Sequence, residues 1–139
     1  MKQIICLIIC MVLPLIALAD DAFLDDFNDY AFYMYGIQPA SCDDPDAMPL
    51  FFTTGETTVF HYSDHDVIIG EDHMEAISAA CCVFRCVDNS GSMIDQYGRI
   101  LHAYFMARSA GSEKRSTTES SISIYVSIDS GILTIRLVR

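Results

Sequence analysis

Basic residues are scarce in this chain: eight lysines and arginines stand against nineteen aspartates and glutamates, a formal charge of −11 at pH 7. A surface of that sign repels phosphate backbones and anionic membranes, which excludes nucleic acid as a partner and favours cationic proteins instead. The short motifs that usually announce chemistry are missing too. There is no C-x-x-C, no G-x-S-x-G and no H-E-x-x-H, so a thioredoxin-like oxidoreductase, a hydrolase nucleophile elbow and a zincin helix have no support. The long apolar run from Ile4 to Leu18 is interrupted by Pro14 and falls short of the roughly 20 residues that a bilayer-spanning helix needs. No internal repeat or low-complexity tract is present.

The apolar run has the form of an export leader. Lys2 precedes it, and it ends in Ala17-Leu18-Ala19, the small-x-small pattern accepted by a signal peptidase. The expected division is a signal peptide over 1–19 and one small, acidic exported domain over 20–139, secreted or periplasmic, with no stable membrane anchor after cleavage. Cys6 and Cys10 leave with the leader, so Cys42, Cys81, Cys82 and Cys86 remain. In an oxidising compartment four cysteines predict two disulfides. On one strand Cys82 and Cys86 would lie about 13 Å apart, too far to bond. The favoured bridge therefore joins Cys42 to Cys81 or Cys82 and contributes about 3 to 4 kcal/mol by constraining the unfolded chain.

Periodicity supplies the elements. At 100° per residue Phe23, Leu24, Phe27, Tyr30, Ala31 and Met34 share one arc opposite Asp25, Asp26 and Asp29, which predicts an amphipathic helix over 22–35, with Gly36 as its C-terminal cap. Asp20 and Asp21 are placed to cap its start. Pro39, Pro45 and Pro49 make 38–49 a loop. The β-rich runs 50–54 and 57–62, split by Gly55-Glu56, lead through a polar turn at 63–66 to the apolar Val67 to Ile69, an antiparallel meander. Glu71 opens a short helix that is expected to give way near Ala80 to a strand, because a continuous helix would expose Cys82 and Cys86. Residues 88–98 read as a loop, 99–108 as a buried strand or a helix, and 110–119 as an exposed, mobile connection. The last segment alternates strictly: Ile122, Ile124, Val126 and Ile128, then Leu133, Ile135 and Leu137, face inward around a turn at Asp129-Ser130-Gly131. The fold class that follows is α+β, with the N-terminal helix packed on a curved antiparallel sheet of four to six strands and stapled by disulfides.

Function is less legible than fold. Export, small size, missing catalytic motifs and negative charge together point to a non-enzymatic binding protein that inhibits or neutralises a basic protein partner, such as an exported hydrolase or toxin. The expected contact surface is the two acidic loops, Asp43, Asp44 and Asp46 in one, and Asp64, Asp66, Glu71 and Asp72 in the other. No cofactor is expected. An alternative draws on His61, His65 and His73, whose imidazoles interleave with carboxylates and suit zinc or copper in a small secreted enzyme or metal-binding protein. Their spacing matches no established metal motif. A third reading is a structural component of an exported assembly, paired through a sheet edge at its C-terminal strand.

Overall fold

The computed structural model describes residues 22–44, 47–110, 114–116 and 121–139. The expected leader, the Asp20-Asp21 cap and Asp46 lie outside the described residues. Among the described residues three helices lie on one face of an antiparallel sheet in the strand order β1-β2-β3-β6-β5-β4. The strands are β1 (Leu50–Thr54), β2 (Thr57–His61), β3 (His65–Gly70), β4 (Lys114–Ser116), β5 (Ser123–Asp129) and β6 (Ile132–Val138). The class is thus α+β, with five principal strands and the short β4 at one edge. Among the described residues no helix is long and apolar enough to cross a membrane.

Helix α1 covers residues 22–30 and passes into a π-helical turn, Ala31–Tyr35, which Gly36 closes in the left-handed region at φ 64°. Phe27 and Ala31 are fully buried, as the apolar arc predicts. Met34 departs from it and is 47 % exposed. A π turn holds more residues than an α turn and shifts the helical phase, so Tyr35 turns inward in its place and stacks on Tyr97 at 6.1 Å.

Helix α2 (His73–Val87) begins at Asp72, whose carboxylate accepts from the amides of Met74 and Glu75 at 3.0 and 3.1 Å. It then runs unbroken through all three of its cysteines, which corrects the expected change to a strand near Ala80. Ala76, Ile77 and every residue from Ala79 to Phe84 are buried. The helix packs on β3 and β6 between the π turn and helix α3 (Met93–Ala110), so its outer face is covered as well. Helix α3 takes the helical of the two alternatives open for 99–108 and replaces the second half of the expected loop. Ser92 starts it, with Oγ accepting from the Asp95 amide at 3.1 Å, and its buried stripe is Gln96, Ile100, Ala103, Tyr104 and Ala107.

The sheet follows the meander and the hairpin. β1 and β2 pair from Leu50↔His61 to Thr54↔Thr57 around Gly55-Glu56. Glu75 of α2 fastens this turn, its Oε1 accepting from Glu56 N and Thr57 Oγ1 at 2.8 Å each. β5 and β6 close through Ser130 and Gly131, both at positive φ (52° and 84°), the two-residue geometry whose twist matches the flanking strands. Ile122, Ile124, Val126, Leu133, Ile135 and Leu137 face the helices. Within the expected mobile connection, Lys114–Ser116 pairs with β5 as strand β4. The sheet face turned away from the helices carries Phe51, Phe60, Val67, Arg136 and Tyr125 as one cross-strand row.

Among the described residues the four thiols Cys42, Cys81, Cys82 and Cys86 are free, so the expected disulfide staple is not formed there. Cys42 lies against the edge strand, its thiol donating to the Phe51 carbonyl at 3.2 Å, while Cys81 is engaged by the Tyr35 hydroxyl. Burial pushes the Cys81 and Cys86 thiols from 9.0 up to about 12 and raises Cys82 as well. The consequence for stability has a definite sign. The unfolded chain loses these protons first, above pH 9.0, and the folded chain holds them. Stability contributed by the buried thiols is therefore complete below pH 9 and declines between pH 9 and 12, by up to about 1.4 kcal/mol per pH unit for each thiol. Urea titrations at pH 8 and pH 10.5 should show this loss, and it should shrink in a Cys81→Ala variant.

Candidate functional site

The acidic residues of the expected contact surface separate into different roles. Asp43 and Asp44 are exposed on the loop before β1. Asp64, at the β2–β3 turn, is 79 % exposed and accepts from His65 Nδ1 at 2.7 Å. That hydrogen bond holds its carboxyl below the usual carboxylate range. Glu71 and Asp72 are exposed at the far end of β3, roughly 20 Å from Asp64 along a strand rising about 3.3 Å per residue. Asp72 is committed to capping α2. The second acidic loop is therefore two sites at opposite ends of one strand.

Asp66 does not belong to that surface. Strand β3 begins at His65, and alternation then points Asp66 toward the helices, on the same face as Ile68. Its carboxylate is 0 % exposed, paired on one oxygen with His61 Nδ1 and on the other with an Arg139 guanidinium nitrogen at 2.8 Å. Phe23 stacks on the His61 ring at 3.9 Å and 14°, and Arg139 also donates to the Tyr62 carbonyl at 3.3 Å. The cluster joins α1, the β2–β3 corner and the end of β6.

The three histidines are likewise dispersed. His61 is held by Asp66, and His65 by Asp64 with Tyr62 stacked on its ring at 4.3 Å. His73 donates from Nε2 to the Gly131 carbonyl at 2.9 Å, which leaves Nδ1 to accept from the Tyr104 hydroxyl at 2.9 Å. It pins the start of α2 to α3 and to the β5–β6 turn. Among the described residues no group of three or more His, Cys, Asp or Glu side chains is placed to hold a metal ion.

A further feature lies where α2 ends and α3 begins, a stretch expected to be an unstructured loop. A cavity of about 190 Å³ is lined there by Phe84, Asp88, Ser90, Asp95, Gln96 and Arg99. Its walls are preorganised. Asp88 Oδ1 accepts from the Ser90 hydroxyl and amide at 2.5 and 3.0 Å, which keeps the Asp88 carboxyl below its usual range. Arg85 clamps the loop by donating to the carbonyls of Asn89 and Gly91 at 3.1 and 2.6 Å. Its Nε, a donor without a partner among the described residues, does not line the cavity.

Gln96 is the unusual member. It is 2 % exposed, and Nε2 donates to the Asp88 carbonyl at 2.7 Å, which fixes the orientation of the amide. Oε1 is then buried with no hydrogen-bond partner among the described residues, a condition that costs about 1 to 3 kcal/mol when nothing fills it. The sequence reading missed this corner; a Ser92-x-x-Asp95 cap followed by the 96, 100, 103, 104, 107 stripe could have marked the helix start. No family model, curated protein or solved structure matches the chain.

Proposed function

We propose that this protein is a non-enzymatic exported binding protein that inhibits or neutralises a basic protein partner, in the manner of an enzyme inhibitor or a toxin-immunity protein. The observation that carries the reading is the charge of −11, presented on a surface where Asp43, Asp44, Asp64, Glu71 and Asp72 are exposed. Such a field raises the encounter rate with a cationic surface and disfavours partners of the same sign. Asp66 is left out of the contact surface, because its carboxylate is buried and already neutralised by Arg139.

The reading is tested by capturing partners on the immobilised protein from an extracellular or periplasmic fraction at two salt concentrations. The expected result is a basic protein retained at low salt, with an association rate that falls at least about tenfold between 50 and 500 mM NaCl. Replacing Asp43, Asp44 and Asp64 together with asparagine should lower that rate further while leaving the fold intact. Recovery of no basic partner, or of one indifferent both to salt and to those substitutions, overturns the proposal.

A further inference from the structure

We infer that this protein docks on a second copy of itself head to tail, the exposed face of α1 and its π turn in one protomer lying against the exposed face of α3 in the next. The inference goes beyond the proposed function and uses surfaces other than the acidic loops assigned to a basic partner.

Charge is divided along the chain. Residues 20–84 hold fourteen aspartates and glutamates and no lysine or arginine, whereas 85–139 hold seven lysines and arginines and five acids. The fold keeps the outer helices of these halves apart. Phe23 and Phe27 of α1 rest on Phe52 of β1, α2 lies on β3 and β6, and α3 lies on β5 and β4. With the sheet in the order β1-β2-β3-β6-β5-β4, α1 and α3 therefore occupy opposite flanks of the helical layer.

The two flanks expose complementary chemistry. On the α1 side Asp25, Asp26 and Asp29 are exposed and lead to Phe32 and Tyr33, 61 % and 79 % exposed, whose rings meet edge-on at 5.1 Å. On the α3 side His102 and Arg108 are exposed beside Phe105 and Met106, themselves 54 % and 47 % exposed. The single acid of α3, Asp95, stands in its first turn, about 15 Å along the axis from Phe105. The strand beneath α3 carries Lys114 and Arg115. Each flank thus joins bare apolar side chains to charge of one sign, negative at α1 and positive at α3. Two α1 faces would oppose three carboxylates with three, so the favoured contact is α1 on α3, which is heterologous. One such contact leaves an α1 face and an α3 face free at the ends, and further copies add until a ring closes or a filament grows.

Net charge opposes the contact, since each copy carries −11. That repulsion reaches about 30 Å at 10 mM salt and about 8 Å at 150 mM. Near physiological ionic strength only the facing groups count, and those attract.

Sedimentation velocity of the purified protein from about 10 µM to about 1 mM, at 10 and 150 mM NaCl, tests the inference. The weight-average mass should rise with concentration, and association should be at least about threefold tighter at the higher salt. Asp29→Lys should weaken association about tenfold even though it lowers the net repulsion, and Arg108→Glu should weaken it by a similar factor. An equimolar mixture of these two variants should restore association, because each reversed face meets the other. Tyr33→Ser leaves the charge alone and should weaken association about fivefold. All three changes fall on exposed side chains, so the fold is expected to survive them. A protein that stays monomeric at both salts overturns the inference. So does association that Asp29→Lys strengthens, or a mixture that associates no better than the separate variants. A basic partner captured by a strictly monomeric protein overturns this inference and leaves the proposed function standing. Self-association of a protein that captures no basic partner does the reverse.

Discussion

Replacing Asp66 with asparagine should lower the free energy of unfolding by about 3 kcal/mol, among the largest effects available from one polar substitution in this fold. The carboxylate is fully buried between His61 and Arg139. Removing its charge leaves the Arg139 guanidinium, itself 24 % exposed, without its counter-ion at the end of the sheet. It also frees the His61 ring on which Phe23 rests. In urea unfolding the midpoint should fall while the slope stays constant, the signature of lost stability rather than a changed unfolded state. Pairing Asp66→Asn with Arg139→Met should cost less than the two single changes added together, because the second removes the stranded charge. A loss below about 1 kcal/mol for Asp66→Asn would mean that the cluster is solvated and does not hold the corner together.

The second large effect is expected at Phe52. Its ring is fully buried and meets Phe27 at 4.9 Å and Phe23 at 6.3 Å, joining β1 to α1. Truncation to alanine should cost about 4 kcal/mol, combining lost burial with the cavity left behind, and should lower Tm by roughly 15 °C for a domain of this size. The neighbouring Phe51 supplies the control. It points to the open face, packs on Phe60 at 5.1 Å and is 43 % exposed. Phe51→Ala should cost about 1 kcal/mol or less. Differential scanning calorimetry of the two variants separates them, and equal losses would contradict the strand's alternation.

Where one side of an element faces water, the sequence was legible. β5 and β6 alternate between dry and wet faces, and their turn carries a glycine where positive φ is needed, so strand, turn and inward set were all readable. β1, β2 and the turn at Gly55-Glu56 were readable in the same way. Reading failed where an element is enclosed. The run from Ala79 to Phe84 is buried residue by residue, so the contrast between faces that marks a helix is erased there, and Cys82 looked exposed only because the helices covering α2 were unknown. Asp66 was misplaced by where β3 begins. A strand starting at Val67 leaves it in a turn, whereas one starting at His65 sends its side chain into the core.

The candidate cavity shows the same division. Asp88, Asp95 and Arg99 were visible as charges on a stretch read as a loop followed by a strand or a helix, but nothing in their order says that they converge. Convergence came from the packing of α3 beside α2, which buries Gln96 and spends its amide hydrogen on the Asp88 carbonyl.

The sequence by itself determined the sign of the surface charge, the α1 stripe, the meander and the C-terminal hairpin, because charge sums without geometry and amphipathic periodicity is written residue by residue. Tertiary structure alone decided that α2 is enclosed, that its thiols stay separate, that Asp66 is sealed by Arg139 and that Gln96 is buried with its amide on the Asp88 carbonyl. Each of those depends on side chains distant in the chain meeting in space, and local periodicity holds no record of such meetings.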